Sequence, residues 1–260
     1  MAEDARPPIF GTAVEGWRFT FAALSRMPVV LGVGLLAVIA VNTLTIPVAP
    51  DPAAETTVGG KLIDLAISVV NGFFLTPVAI AVHRFVLLGE VTDRYTLNPR
   101  EPRFLQFFSW TALYQLLIGV PGVIATLERG STGGTGITLL CLALIGSVWL
   151  LLLFPAIAVD ARGAAWQNSV ADTKGHWWRI AGTFVLAVIP LLAVLLPILF
   201  VVFSLIPEQE HSSVKTLVMI NGIVSVASVL GLCVFAAVAS RLFAAFANRL
   251  NIPFSKPGVV

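Results

Sequence analysis

Residues 180–206, IAGTFVLAVIPLLAVLLPILFVVFSLI, contain no charged side chain. A helix needs about 20 mostly apolar residues to cross the hydrocarbon core of a bilayer, so this stretch predicts a transmembrane helix. Five other stretches resemble it. Inside the six, the formal charges are Asp64, Arg84 and Arg241, each near an end where the side chain can reach the headgroups. The six predicted spans are Met27 to Ala49, Leu62 to Leu88, Phe104 to Leu127, Ile137 to Val159, Ile180 to Ile206 and Leu217 to Phe246.

The composition agrees with a membrane protein. Hydrophobic residues make up 57% of the chain and charged residues only 12%, whereas charged residues make up about 25% of a typical soluble domain. The connections between the spans are too short to fold separately, so we expect one integral all-α membrane domain over residues 1–260. Cys141 and Cys233 both fall inside spans, which argues against a disulfide framework and a thiolate metal site.

The distribution of basic residues predicts the orientation of the spans. Of the 16 Lys and Arg residues, 13 lie in the N-terminal tail, in the second-to-third and fourth-to-fifth connections, and at the C-terminal end. The other three connections hold one each, Lys61, Arg129 and Lys215. Because cytoplasmic segments of membrane proteins are enriched in Lys and Arg, we expect both termini in the cytoplasm. Anionic lipid headgroups are the expected partners of this basic face, since no cluster is dense enough to suggest nucleic acid.

The segment before the first span has the pattern of an amphipathic helix. Within residues 8–26, apolar side chains recur at helical spacing: Phe10, Val14, Trp17, Phe21 and Leu24. We expect this helix to lie in the plane of the headgroups. Aromatic and basic residues also gather at the start of the third span, over residues 103–110, and before the fifth span, over residues 166–179. These segments predict interfacial amphipathic helices on the cytoplasmic face.

The segment before the fifth span holds the residues that we expect to contact lipid. These candidates are Trp166, Lys174, Trp177, Trp178 and Arg179. Indole rings favour the membrane interface, and the two cations attract anionic headgroups. Gly175 is expected to let the chain turn into the membrane. The alternative is that this segment only anchors the topology.

A second group of candidates is polar and lies inside the spans. It consists of Asn42, Asn71, Gln115 and Asn221. Amide side chains form hydrogen bonds but do not exchange protons near neutral pH. Hydrogen bonding between helices is the favoured interpretation, and a substrate pathway is the alternative.

We predict no catalytic, metal-binding or cofactor-binding residue. His83 is expected to be an interfacial anchor near the end of the second span, while His176 falls in a cytoplasmic connection and His211 in an outer loop. Three histidines so separated do not form a shared metal site. Ser147 lies in the middle of the fourth span with no histidine expected at its depth, so no nucleophile and base are paired.

Residues 155–179, PAIAVDARGAAWQNSVADTKGHWWR, carry a family resemblance. They are similar to the membrane domain associated with some glycerophosphodiester phosphodiesterases, and to related six-helix bacterial inner-membrane proteins of unknown function. The positions that carry the similarity are Pro155, Ala156, Trp166, Ser169, Thr173, Lys174, Gly175, Trp178 and Arg179. The resemblance implies a helical module of the bacterial inner membrane concerned with envelope maintenance or membrane homeostasis. It implies no catalytic residue.

Three functional hypotheses follow. The first is a non-enzymatic inner-membrane protein that engages lipid. The second is a permease or channel for a small neutral or anionic solute, using Asn71, Gln115 and spans bent by proline. The third is an intramembrane enzyme, for which the sequence offers no evident catalytic group. Whether the protein forms a homo-oligomer is left open by the sequence.

Overall fold

The computed structural model describes residues 8–46, 57–128, 134–207 and 213–250. Within these ranges the chain forms helices and no strand, so the all-α prediction is confirmed. The helices are α1 (Ile9–Arg26), α2 (Pro28–Leu44), α3 (Val58–Leu88), α4 (Pro102–Leu127), α5 (Gly134–Leu150), α6 (Leu153–Ala158), α7 (Trp166–Thr173), α8 (Trp177–Leu205) and α9 (Val214–Phe246). Arg129 and His211, which entered the sequence arguments, lie outside the described residues.

The helices identify a multi-pass membrane protein. Among the described residues, five segments are long and apolar enough to cross a bilayer: α3, α4, α5 together with α6, α8 and α9. Helices α1 and α2 meet at 95°, and counting this bent pair as one span brings the number to six. The 17 residues of α2 rise by about 26 Å, slightly less than the roughly 30 Å of hydrocarbon. The predicted six spans are therefore the upper end of what the helix lengths support.

Helix α1 forms where the amphipathic pattern predicted a helix. It ends at Arg26 because Pro28 has no N–H to donate and holds Met27 away from helical geometry. The face that α1 buries carries small residues, including Ala13, Gly16 and Ala23. Its large apolar side chains Phe10 and Phe21 are instead exposed. The helix therefore docks on the bundle through small residues and presents aromatic rings outward.

The other two predicted interfacial segments differ from each other. Residues 103–110 are the beginning of the continuous helix α4, which starts at Pro102, so they do not form a separate interfacial helix. Nothing in the sequence between Pro102 and Pro121 interrupts helical hydrogen bonding. By contrast, α7 is a separate short helix, and Gly175 between α7 and α8 has a φ of 87°. This left-handed conformation favours glycine and makes the predicted turn into α8.

Helix α9 lies at the centre of the bundle and packs against α1, α2, α3, α6 and α8. Its buried part is rich in small side chains, such as Gly231, Ala237 and Ser240, which let neighbouring backbones approach closely. Helix α8 is peripheral, and side chains such as Phe200 and Leu205 are more than 70% exposed. Such apolar surfaces are compatible with the acyl chains of a bilayer.

We call the side of the bundle where the charge count placed most Lys and Arg residues the basic end. Ion pairs join the helix ends on this side. Arg84 at the end of α3 contacts Glu90 at 2.6 Å and Asp160 at 3.6 Å. Arg103 at the start of α4 donates to Asp160 at 2.8 Å, and Arg241 of α9 donates to Glu15 of α1 at 2.8 Å. We expected Arg84 and Arg241 to reach headgroups; they instead bind carboxylates of the protein.

The chain after α9 is held at the same end by α7. The carboxylate of Asp172 accepts hydrogen bonds of 2.9 to 3.1 Å from the consecutive backbone N–H groups of Asn248, Arg249 and Leu250. Gly163 lies against this segment, and a Cβ at its position would be 2.0 Å from the carbonyl oxygen of Arg249. We call this contact the C-terminal clasp (Gly163, Asp172 and residues 248–250).

Candidate functional site

A partly open cavity of about 510 Å³ lies between α2, α3, α4, α8 and α9. Most of its wall is apolar, with side chains such as Val38, Leu75, Leu191 and Leu195. The polar side chains in the wall are Asn42, Ser68, Asn71, Thr76, Thr111, Gln115 and Ser228. We call this cavity the larger cavity, because a smaller one adjoins it. Its size and lining are typical of small-molecule sites, whose walls are mainly apolar with a few polar groups that orient the ligand.

Three of the predicted intramembrane polar residues form one hydrogen-bonded network. The Nδ2 group of Asn71 donates to Oδ1 of Asn42 at 2.9 Å, and Nδ2 of Asn42 donates to Oγ of Ser225 at 3.0 Å. Asn221 donates to the backbone carbonyl of Asn42 at 3.3 Å. The network joins α2, α3 and α9, which is the bonding between helices that the sequence favoured.

The network leaves polar groups at the cavity without partners. Oδ1 of Asn71 is buried and accepts no hydrogen bond from any described residue. Gln115 lines the same cavity, and its side chain makes no hydrogen bond within the described ranges. Leaving a buried acceptor unsatisfied costs about 1 to 3 kcal/mol. The Oδ1 atom is too buried for a bound molecule to reach, whereas the amide of Gln115 lines the cavity and can pair with one.

A smaller cavity of about 240 Å³ adjoins the larger one toward the basic end. Both cavities share Ala79, Phe107, Thr111, Gln115, Leu232 and Phe235 in their walls. His83 lines the smaller cavity and is 3% exposed, and its Nδ1 lies 2.8 Å from Oγ of Ser240. The prediction that His83 is an interfacial anchor was wrong. Since side chains of successive helical residues point about 100° apart, Arg84 takes the outer position while His83 faces α9.

The contact between His83 and Ser240 does not make a nucleophilic site. Ser240 is fully buried and is not part of the wall of either cavity, whereas a nucleophile must reach its substrate. Elsewhere, His176 stacks on Phe246 at 4.5 Å between ring centres. Among the residues that the structure describes, no three His, Cys, Asp or Glu side chains are placed to hold a metal ion.

The predicted lipid-interface residues lie together at the basic end, apart from the cavities. Trp178 is 80% exposed, and its ring meets that of Trp177 edge-on at 4.4 Å. Trp177 also donates from Nε1 to the carbonyl of Ile145 at 3.1 Å, which fixes α8 to α5. Trp166 is half exposed. Lys174 is exposed and Arg179 partly exposed, and neither forms an ion pair with another described residue.

The basic end therefore contains two kinds of cation. Arg84, Arg103 and Arg241 are paired with carboxylates. Lys174 and Arg179 have no counter-ion within the described ranges, and the same holds for the exposed Arg18, Arg94 and Arg100. The positive charge that this end presents outward therefore comes from the cations that have no counter-ion among the described residues.

Two features of the site were not predicted from the sequence. His83 and Ser240 are 157 residues apart, and Ser225 is far in sequence from Asn42, so no local pattern pairs them. The only signal was the position of His83 beside Arg84 near a span end, and it indicated the wrong role. Asn42, Asn71 and Gln115 were predicted as polar residues inside spans, and the structure brings all three to one cavity.

Fold and site together define the class: a multi-pass α-helical membrane protein with a cavity inside its bundle. No family model, curated protein or solved structure matches the chain. The resemblance to the membrane domain of glycerophosphodiester phosphodiesterases therefore stays a prediction.

Proposed function

We propose that the protein is a non-enzymatic protein of the bacterial inner membrane that binds a lipid-like amphipathic molecule within its helical bundle, in support of envelope or membrane homeostasis. The observation that carries this proposal is the larger cavity, whose described wall residues are apolar except for amide and hydroxyl groups. Such a wall suits a molecule with a long apolar part and a small uncharged polar part.

The arrangement of α4 and α8 supports entry from the bilayer. Both helices contribute to the walls of both cavities, yet they do not pack closely on each other. Because the larger cavity is partly open and both helices border it, an amphipathic molecule is proposed to enter sideways between them without crossing water. The apolar outer faces of α4 and α8 keep that entrance within the hydrocarbon.

Two cations without a counter-ion among the described residues supply a second contact with lipid. Lys174 and Arg179 lie beside Trp177 and Trp178 at the basic end, and each cation near an anionic surface contributes about 1 kcal/mol. We place this end, with both termini, on the cytoplasmic side because it holds most of the Lys and Arg. Anionic headgroups then bind outside the bundle while the cavities hold an uncharged molecule.

Bound lipid is the direct test of the proposal. The protein is purified in a mild detergent, and its retained lipid is extracted and quantified by mass spectrometry. Gln115→Leu removes a polar group from both cavities, and we expect about a five- to tenfold loss of the retained lipid species, the effect of one hydrogen bond. Gln106→Leu is the matched control, since Gln106 is an exposed amide on the same helix. Equal lipid in both variants contradicts the proposal.

A permease for a small neutral solute is the second candidate, and one observation favours it. Asn42, Asn71 and Gln115 converge on one cavity, as a polar pathway requires. No charged side chain of the described residues lines either cavity, which disfavours an anionic solute. Glycerol uptake by proteoliposomes separates the candidates: a flux that exceeds that of empty vesicles and is lost in Asn71→Leu indicates a permease. We expect no such flux.

A further inference from the structure

We propose that the smaller cavity binds the carbonyl group of an uncharged acyl ester, as found in the glycerol-ester region of a neutral lipid, through a hydrogen bond from His83. This inference rests on the proposed function. It adds the part of the molecule that is held and the residue that holds it.

The hydrogen bond between His83 and Ser240 determines which nitrogen carries the proton. Apart from Nδ1 of His83, the Ser240 hydroxyl has no partner among the described residues. Ser240 is fully buried, so a hydroxyl that only accepted would leave its own hydrogen unsatisfied, which is costly. Ser240 therefore donates to Nδ1, and the neutral imidazole carries its hydrogen on Nε2.

Nε2–H of His83 is thus a donor in need of an acceptor. No described residue accepts a hydrogen bond from it, and His83 forms part of the wall of the smaller cavity. The ring is held from the side by Phe107, 5.8 Å away between ring centres. A rigidly held donor in an otherwise largely apolar cavity selects for a neutral acceptor such as a carbonyl oxygen.

The charges around the cavity exclude an anionic headgroup from this position. The cation nearest in sequence, Arg84, is already bound to both carboxylate oxygens of Glu90 and to the carbonyl of Ala158. Among the residues that the structure describes, no charged side chain appears in the wall. A phosphate placed here would lack a counter-ion, whereas an ester carbonyl needs none.

The depth and length of the cavities suit an acyl ester. His83 immediately precedes Arg84, which marks the basic end, so the donor lies at the boundary where bilayer lipids also place their ester groups. From His83 to Asn71, α3 rises by about 18 Å, and the two adjoining cavities extend along this distance. An acyl chain that starts at His83 can continue past Gln115 into the larger cavity.

Photolabelling tests the inference on the full-length protein. The protein is reconstituted into phosphatidylcholine vesicles with a diacylglycerol that carries a photoreactive acyl chain, or with a photoreactive hydrocarbon that lacks the ester. We expect the ester probe to label residues of the two cavities. His83→Leu should lower this yield about tenfold, the effect of one lost hydrogen bond. His83→Gln keeps a donor and should retain most of the labelling.

Ser240 is a positioning residue, and its variants keep the test decisive if His83→Leu does not fold. Ser240→Ala should lower the ester-dependent yield several-fold because Nδ1 loses its donor, and Ser240→Thr, which keeps a hydroxyl, should restore it. Ser204→Ala is the control, since that exposed hydroxyl bonds to the carbonyl of Phe200 on its own helix and lines neither cavity. Gel filtration verifies that each variant is folded.

Three results overturn the inference: unchanged labelling in folded His83→Leu, labelling outside the cavities, or equal labelling by the hydrocarbon probe. If Gln115→Leu still reduces retained lipid in such a case, the proposed function stands and only the role of His83 fails. If neither Gln115→Leu nor His83→Leu has an effect, both proposals fail.

Discussion

The side-chain amide of Asn71 on α3 donates a 2.9 Å hydrogen bond to Oδ1 of Asn42 on α2. Asn42 in turn donates to Ser225 on α9, so one side chain links three helices. In a bilayer, helices do not associate through the hydrophobic effect, and hydrogen bonds between them contribute about 0.6 kcal/mol on average and up to roughly 2 kcal/mol. Asn42 is therefore both a structural link and part of the cavity wall.

Asn42→Ala should lower thermal stability in detergent. It removes two hydrogen bonds between helices and leaves the amide of Asn71 without its acceptor. We expect a loss of about 1 to 2 kcal/mol, or a decrease in Tm of about 2 to 8 °C. Ser228→Ala is the control from the same cavity, and it should leave Tm almost unchanged. Equal Tm values for the two variants would show that the network does not join the helices.

Gly163→Ala should destabilise the C-terminal clasp. A Cβ at this position would lie 2.0 Å from the carbonyl oxygen of Arg249 and 3.0 Å from Cα of Leu250, so the backbone must move. Overpacking of this kind costs about 1 to 3 kcal/mol, measured as a lower Tm. Gly146→Ala is the matched control, because no atom lies within 4 Å of a Cβ there. A Tm as high as that of the control would contradict the close contact.

Asp172→Asn should loosen the clasp without changing its shape. The amide keeps one acceptor oxygen but loses the charge that now receives three backbone N–H groups. Hydrogen bonds to a charged group contribute about 1.5 to 3 kcal/mol, so amide exchange at residues 248–250 should accelerate by roughly 10- to 100-fold. Hydrogen exchange with mass spectrometry measures this. Asp93→Asn, at an exposed carboxylate with no ion pair to a described residue, should not change the exchange rate.

Features that depend on local sequence were predictable. Hydrophobic length alone located the spans. The end of α1 just before Pro28 and the turn at Gly175 each follow from the backbone properties of a single residue. The limit of this approach is visible in residues 103–110, whose aromatic and basic character indicated an interfacial helix although their backbone continues into α4.

The site depended on contacts that a local pattern does not contain. Asn42 and Ser225 meet across 183 positions, and the partner of His83 lies on the last helix. In lipid, apolar residues are acceptable on both the outer and the inner face of a helix, so hydrophobic periodicity does not show which face is buried. The side of α3 that carries His83 could not be assigned without the packing of α9.

Tyr95 should ionise at a higher pH than an ordinary tyrosine. It lies between α3 and α4 and donates to the carbonyl of Phe74 at 2.7 Å, and burial raises its pKa. The chain has two tyrosines, so absorbance titration of Tyr114→Phe reports Tyr95 alone. Because the folded pKa is raised, the stabilisation is complete below the unfolded pKa and is lost as the pH rises through the folded pKa. Titration at the usual pH would mean that Tyr95 is exposed.

The side of the membrane that the basic end faces is open to a direct test with reporter fusions. Arg84, Arg103 and Arg241 all form ion pairs at this end, so the structure places the helix ends together independently of the charge count. Alkaline phosphatase needs disulfides and is active only outside the cytoplasm. Fusions after Gly130, between α4 and α5, should be active, and fusions after Arg100, between α3 and α4, should be inactive. A reporter that works only in the cytoplasm should give the opposite pattern. Activity after Arg100 alone would place Lys174 and Arg179 on the outer side of the membrane, away from the cytoplasmic leaflet whose anionic lipids they are proposed to bind.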